Sequence, residues 1–321
     1  MSSQTILVAG GAGFIGSHVN SMLNQAGYRT LVLDNLSRGN RQTVKQGTFI
    51  EGDLADKPFL DSLFQAYPID AVMHFAAFID VGESVRDPAK YYQNNVVNTL
   101  NLLTVMLRHQ VKRFVFSSTA AIFGNPVHPK INEEHPCQPL NPYGESKLMV
   151  EKMLRDFDMA YGLKFSCLRY FNAAGGDPKA ETKNFQKYSS NLIPIILRSL
   201  KTNQPVTIFG TDYATPDGTC IRDYIHIHDL GAAHLSALKH LLNGKASSYY
   251  NLGNGKGFSV REVIEAVEKV LNQKVKVIEG DRRPGDPPIL LADSSKALLE
   301  LEWHPRYTLN QMVEHASLAN N

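Results

Sequence analysis

Nowhere do apolar residues run unbroken for the ~18 positions that a membrane-spanning helix requires, so no such span is expected. Cysteine is scarce. Cys137, Cys167 and Cys220 lie far apart, which excludes an even disulfide framework and any zinc-ligand spacing; reduced structural thiols and no metal site are expected. Neither sign of charge dominates: 33 Lys and Arg stand against 31 Asp and Glu, for a net charge of +2. With no basic run, binding to nucleic acid or to a membrane surface has no electrostatic driving force. The opening Met1-Ser2-Ser3-Gln4-Thr5-Ile6-Leu7-Val8-Ala9 lacks the basic start and long apolar stretch of a secretion signal, and a cytoplasmic protein is expected. No internal repeat or low-complexity tract is present.

What is present is ordinary globular material, 43% hydrophobic and 20% charged over 321 residues, enough for one large or two modest domains. Short β-branched runs alternate with longer stretches of helical periodicity. Strands are predicted at Ile6–Ala9, Thr30–Leu33, Phe49–Ile50, Ala71–Phe75, Arg113–Phe116 and Phe165–Leu168, with helices at Ile15–Gln25, Tyr91–His109 and Ser146–Tyr161. Such alternation builds right-handed strand–helix–strand units. The expected fold is therefore α/β, a doubly wound parallel sheet of Rossmann type with helices on both faces. Beyond Gly175 the texture changes: Gly176–Lys187 reads as a polar loop, and later segments are short and mixed. The expected organisation is one domain over 1–175, with a return segment at about 223–245, and a smaller α/β domain over 176–321, discontinuous.

Gly10-Gly11-Ala12-Gly13-Phe14-Ile15-Gly16 falls directly between the first strand and the first helix. Glycines at 10, 13 and 16 permit a tight turn, a close approach of backbone to a pyrophosphate, and packing of helix on strand. The helix N-terminus adds unpaired N–H groups for the phosphates. Asp34 ends the second strand 18 residues beyond Gly16, where a carboxylate accepts from both ribose hydroxyls and repels a 2′-phosphate. Arg38 is a mild counter-signal, but the aspartate sets the expectation of NAD. Asp53-Leu54 after the third strand fits the adenine pocket, and fits a helix N-cap equally well.

Tyr143-Gly144-Glu145-Ser146-Lys147 sets a tyrosine and a lysine on one helical face. The pair follows a strand ending in Ser117-Ser118-Thr119, at the carboxyl edge where doubly wound sheets bind ligands. Removing a hydride from a carbinol carbon needs a base for the hydroxyl proton. A phenol titrating near 10 serves only if positive charge from Lys147 and a nicotinamide ring stabilises its anion by roughly 4 kcal/mol. Thr119 is placed to bond the same oxygen and relay the proton.

Together these motifs resemble the extended short-chain dehydrogenase/reductase family, and within it the nucleotide-sugar epimerases. The resemblance covers almost the whole chain. It includes Asp34-Asn35-Leu36, His74-Phe75-Ala76-Ala77, Val81-Gly82-Glu83-Ser84-Val85, Tyr91-Tyr92-Gln93-Asn94-Asn95 and Arg169-Tyr170-Phe171-Asn172. It continues through Asn191-Leu192-Ile193-Pro194, Asp217 to His226, Tyr249 to Gly253 and Arg282-Arg283-Pro284-Gly285-Asp286. It implies Thr119, Tyr143 and Lys147 as catalytic residues. It places NAD, tightly bound and regenerated each cycle, on Gly10, Gly13, Phe14, Ile15, Gly16, Asp34, Asn35, Asp53, Leu54, Phe75, Ala76, Ala77, Asn95, Tyr143, Lys147 and Tyr170. A UDP-sugar would be held by Thr119, Asn172, Asn191, Leu192, Phe209, Arg222, Tyr224, Arg283 and Asp286. Guanidinium forks suit a diphosphate. The resemblance also implies inversion at C4 through a 4-keto sugar, and a homodimer paired through the helices Tyr91–His109 and Ser146–Tyr161.

Three departures from the family stand out. Phe78-Ile79-Asp80 offers no lysine where relatives often carry one, Phe123 replaces a tyrosine, and Leu290 occupies a position where bulk governs entry of N-acetylated sugars. The galactose/glucose pair is the expected substrate, with UDP-N-acetylhexosamines or UDP-pentoses as alternatives. Dehydratase chemistry needs an acid and a base where this chain has Ala120-Ala121. A non-catalytic NAD-binding protein would not be expected to keep both Tyr143 and Lys147.

Overall fold

The computed structural model describes residues 4–179, 191–283 and 286–319. Of the stretch read as a polar loop, the part from 180 onward lies outside the described residues, as do Pro284 and Gly285 of the Arg-Arg-Pro-Gly-Asp motif. The chain divides into two compact units. The first comprises 1–124, 137–169 and 231–250; the second comprises 125–136, 170–230 and 251–321.

The first unit is built on a seven-stranded sheet in the spatial order Ser248–Leu252, Lys164–Tyr170, Arg113–Thr119, Ala71–His74, Thr5–Ala9, Arg29–Asp34, Thr48–Glu51. The five strands from Arg113–Thr119 through Thr48–Glu51 run parallel. Thr5–Ala9 and Ala71–His74 are buried along their whole length, which is why they read as unbroken apolar runs rather than alternating ones. All six predicted strands form, and the fold is the doubly wound α/β fold expected. Helices cover the sheet with Leu60, Leu63, Leu102, Met106, Val150 and Leu154, which pack on Leu7, Val72, Phe114 and Phe116. Strand order reverses between Thr5–Ala9 and Ala71–His74, and the loops leaving these two strands carry Gly10 and Phe75-Ala76-Ala77.

Tyr91–His109 is not the single α-helix expected. A short α-turn, Pro88–Tyr91, leads into a π-helical turn, Tyr92–Val97, and only then the α-helix Asn98–Arg108. The cause is Asn95, whose amide serves the backbone of Phe78 and so holds the turn open: Nδ2 donates to Phe78 O at 3.0 Å and Oδ1 accepts Phe78 N at 2.9 Å. Wide turns of this kind recur at functional sites. The next long helix, Pro142–Tyr161, begins earlier than predicted. Asn141 caps it by accepting Gly144 N at 2.9 Å, Pro142 fills its first position, and Gly162 closes it in the left-handed region.

The second unit pairs small sheets with three packed helices. Phe258–Ser259, Ile221–Arg222, Ile289–Ala292 and Lys130–Ile131 form one sheet; Tyr224–His226 pairs with Asn172–Ala174, and Val277–Gly280 with Val206–Phe209. Ile196, Val263, Val267, Met312 and Val313 form its core, from Leu192–Thr202, Val260–Leu271 and Leu309–Ala319. Among the described residues no helix is long and apolar enough to cross a membrane, and no cluster of side chains could hold a metal ion.

Candidate active site

The three motif glycines have different jobs. Gly10 takes φ +75°, and a Cβ there would lie 2.4 Å from Ala76 N, so the turn and the loop after Ala71–His74 touch through bare backbone. A Cβ at Gly16 would lie 2.3 Å from Gly10 O, so the helix packs on the turn. At Gly13 the nearest atom would be Gly10 O at 3.3 Å, so the missing side chain leaves approach open from outside. Gly13 caps the helix Phe14–Gln25 with no side-chain bond, and no acidic residue sits in the first turn. The N–H groups of that turn thus face outward at the positive end of the helix, which fits a pyrophosphate.

Asp34 fits the ribose end. Its two oxygens accept Ala12 N at 2.9 Å and Leu36 N at 2.8 Å, which leaves a lone pair on each. Burial pushes the carboxyl up, and those two backbone bonds oppose the shift. A Cβ on Gly39 would come within 2.8 Å of the carboxylate, so glycine keeps it accessible. Arg38, the counter-signal, is committed elsewhere: it pairs with Glu83 at 3.3 Å. Asp53 is not a helix cap. That cap is Asp56; Asp53 accepts Ala55 N at 2.8 Å and the Asn35 amide at 2.7 Å. Leu54 belongs to the core of the unit, Phe75 lies against His234 with ring centres 4.9 Å apart, and Tyr170 ends its strand half-buried. These residues fit a dinucleotide of the NAD type, and Asn95 holds the loop beside them through its bonds to Phe78.

Beside this cradle Tyr143 and Lys147 emerge from the capped helix. Tyr143 is 8% exposed, and burial pushes its phenol up; the hydrogen bond from the Thr119 hydroxyl pulls it partly back. Thr119 Oγ1 also accepts Ala121 N at 3.2 Å, which turns its proton toward Tyr143. Lys147 is 3% exposed, donates to Ser117 O at 2.8 Å and lies 4.6 Å from the centre of the Phe116 ring. Burial drives its ammonium down to about 7. Among the described residues no hydrogen bond joins Tyr143 to Lys147, so the helical face they share aligns them without coupling them directly. Ala120 and Ala121 open the short 3-10 turn Ala120–Phe123 that Thr119 caps.

In the second unit Arg222 donates to Pro287 O at 2.7 Å and pairs with Asp286 at 3.2 Å, while Arg283 lies 4.0 Å above the Phe209 ring. Leu290 stands in register beside Arg222. Asn172 donates its amide to Asp223 O at 3.0 Å, Asn191 heads the helix Leu192–Thr202, and Leu192 packs half-buried on the unit's core. Tyr224, expected as a ligand contact, is 6% exposed and packs within that core. His226 stacks on Tyr307 at 4.0 Å, consistent with a structural histidine.

Two residues that the sequence reading passed over organise these sites. Asp223, fully buried, accepts Asn254 N, Gly255 N and Ala292 N at 2.6–3.0 Å and ties three segments behind Arg222. Glu151, one turn beyond Lys147, binds Ser118 and Arg169. Its signal was available as the continuation of the four-residue spacing Tyr143, Lys147, Glu151.

Residues 6–253 match the NAD dependent epimerase/dehydratase family. The UDP-glucose 4-epimerase of Halalkalibacterium halodurans is 50% identical over 313 residues, 97% of this chain and 94% of the relative. Among solved structures, UDP-glucose 4-epimerase from Brucella ovis in complex with NAD superposes with a TM-score of 0.96 at 42% identity, covering 98% of both chains. The Bifidobacterium longum UDP-glucose 4-epimerase in complex with NAD+ and UDP gives 0.93 at 38% identity, again covering 98% of each. The chain is accordingly a member of the NAD dependent epimerase/dehydratase family.

Proposed function

We propose that this chain interconverts UDP-galactose and UDP-glucose by 4-epimerisation. The observation that carries the reading is the buried Tyr143 phenol bonded to the Thr119 hydroxyl, with the Lys147 ammonium fixed one helical turn away. The relatives' names and the NAD and UDP in their complexes support it. Tyr143 takes the proton of the sugar 4-hydroxyl, and Thr119 relays it. Burial at Tyr143 opposes the phenolate, so the Lys147 cation is needed to hold the base in its working form. When bound, NAD on the Gly10–Gly16 turn and Asp34 supplies a reversible acceptor for the C4 hydride and a positive ring near the phenol. Arg222 and Arg283 are the groups suited to hold the diphosphate, since guanidinium forks bind phosphate oxygens bidentately.

Purified protein incubated with UDP-galactose and no added NAD should yield a mixture rich in UDP-glucose on chromatography. Turnover of only UDP-xylose or UDP-N-acetylgalactosamine in parallel reactions would keep the chemistry and change the substrate. No conversion of any, even after NAD is supplied, would refute the proposal. A cytoplasmic homodimer completes the reading. Val97, Leu100 and Met159 leave apolar surface exposed on the helical segments expected to pair, and light scattering should give twice the mass of one chain.

A further inference from the structure

One turn beyond Lys147, Glu151 is 2% exposed and accepts hydrogen bonds from Ser118 and Arg169. Ser118 Oγ donates to its Oε1 at 2.6 Å, Arg169 Nε donates to Oε1 at 3.0 Å, and a terminal Arg169 nitrogen donates to Oε2 at 2.6 Å. Arg169 in turn lies 4.5 Å from the centre of the Tyr249 ring. Ser118 is the middle of three consecutive strand residues that meet this helix. Ser117 O receives Lys147 Nζ, and the Thr119 hydroxyl meets Tyr143. Helix positions 143, 147 and 151, each a turn apart, therefore engage strand positions 119, 117 and 118.

We propose that Glu151 is a positioning residue of this site: through Ser118 and Arg169 it fixes the strand end that holds Tyr143 and Lys147, and its carboxylate supplies the negative charge beside the Lys147 ammonium. The inference rests on the catalytic reading of Tyr143 and Lys147 given above. A buried ion pair gains little stability over well-packed apolar residues, so packing alone does not call for charge here. Lys147 does. Facing it are the Ser117 carbonyl and the Phe116 ring, His74 on a neighbouring strand, Cys167 on another, and Glu151 on its own helix with Arg169 bonded behind it. Burial keeps His74 neutral, pushing it down to about 3, and pushes the Cys167 thiol up. Burial also pushes Tyr143 up. Glu151, held by the Arg169 guanidinium at 2.6 Å, is the acidic side chain of this set, and it opposes the burial that drives Lys147 down.

The test compares the parent holoenzyme with Glu151→Gln/Arg169→Met, which removes both charges together, and with Ser118→Ala, which breaks the clamp and keeps them. The Lys147 titration is read by 13C NMR of ε-labelled lysine, assigned by the resonance lost in Lys147→Met. In the double variant the Lys147 midpoint should fall by about one pH unit. The alkaline limb of kcat should fall with it while KM for UDP-galactose stays unchanged. Ser118→Ala should lower kcat and leave the midpoint in place. Should the double variant not fold, Glu151→Gln alone and Glu151→Asp replace it, and only the aspartate should retain the parental midpoint. A folded charge-free variant whose Lys147 midpoint does not move overturns the proposal. Because the NMR titration needs no turnover, it decides the role of Glu151 even if UDP-galactose proves not to be the substrate.

Discussion

Replacing Lys147 by Met should make the protein more stable and inactive at once. The side chain is 3% exposed, and burial drives its pKa from the ordinary 10.5 down to about 7. Below pH 7 the folded and unfolded chains both carry the ammonium, and the folded chain bears the full cost of burying it. Above pH 10.5 neither carries it, and the cost is gone. The interval between those two values amounts to roughly 5 kcal/mol at ~1.4 kcal/mol per pH unit. Methionine keeps most of the stem's volume but gives up the bond to Ser117 O, and an unsatisfied carbonyl costs ~1–3 kcal/mol. The variant should therefore gain about 2–4 kcal/mol at pH 6. That advantage should shrink by ~1.4 kcal/mol for each pH unit above 7, because there the unfolded parent binds the proton that its folded form does not. Urea unfolding followed by circular dichroism, on cofactor-stripped parent and variant from pH 6 to pH 9, measures the difference directly. Removing NAD first matters, since a ligand bound only to the folded chain adds stability of its own. A difference that stays constant across this range would refute the reasoning.

Three further outcomes are expected. Tyr143→Phe should lower turnover of UDP-galactose by ~10²–10⁴-fold with the urea midpoint unchanged, and a variant as active as the parent would remove Tyr143 as the base. Gly10→Ala forces a side chain into φ +75° with its Cβ 2.4 Å from Ala76 N. Left-handed strain of ~1–2 kcal/mol and overpacking of ~1–3 kcal/mol should together lower stability by about 2–5 kcal/mol and release NAD, read as a fall in the 260/280 nm absorbance ratio. Arg222→Met should raise KM for the UDP-sugar by ~10–100-fold with a smaller change in kcat, as loss of a charge-assisted bond to phosphate predicts; steady-state kinetics showing only kcat affected would contradict that role.

The strands were legible because parallel strands buried on both faces are apolar along most of their length, as Ile6–Ala9 and Ala71–Met73 are. The glycine turn was legible because its constraints are local: a positive φ at Gly10 and a helix start at Phe14. Long-range polar partnerships were not legible. The bridge from the Asn95 amide to Phe78, 17 residues away, leaves no mark in the sequence. Periodicity spans the π turn without registering it. Tyr224 sits in a motif beside Arg222, yet the two fall in separate short strands, Ile221–Arg222 and Tyr224–His226, that pair in different sheets. Glu151 and Asp223 look like surface acids in one dimension, and only their partners, brought from 18 to 69 residues away, account for their burial.

The π turn at Tyr92–Val97 carries one residue more per turn than an α-helix. Deleting a single residue there would let the segment rewind as an α-helix with its flanks still in phase, because the wide turn already absorbs the ~100° that the extra residue contributes; what would be lost is the local bulge that presents Asn95. Asn95 would swing away from Phe78, and the loop Phe75–Phe78 would lose its anchor while the helix itself survived. A change in chain length at this point is thus more damaging than most changes of residue. The stretch should tolerate substitution at its exposed positions, such as Val97, far better than it tolerates an insertion or a gap.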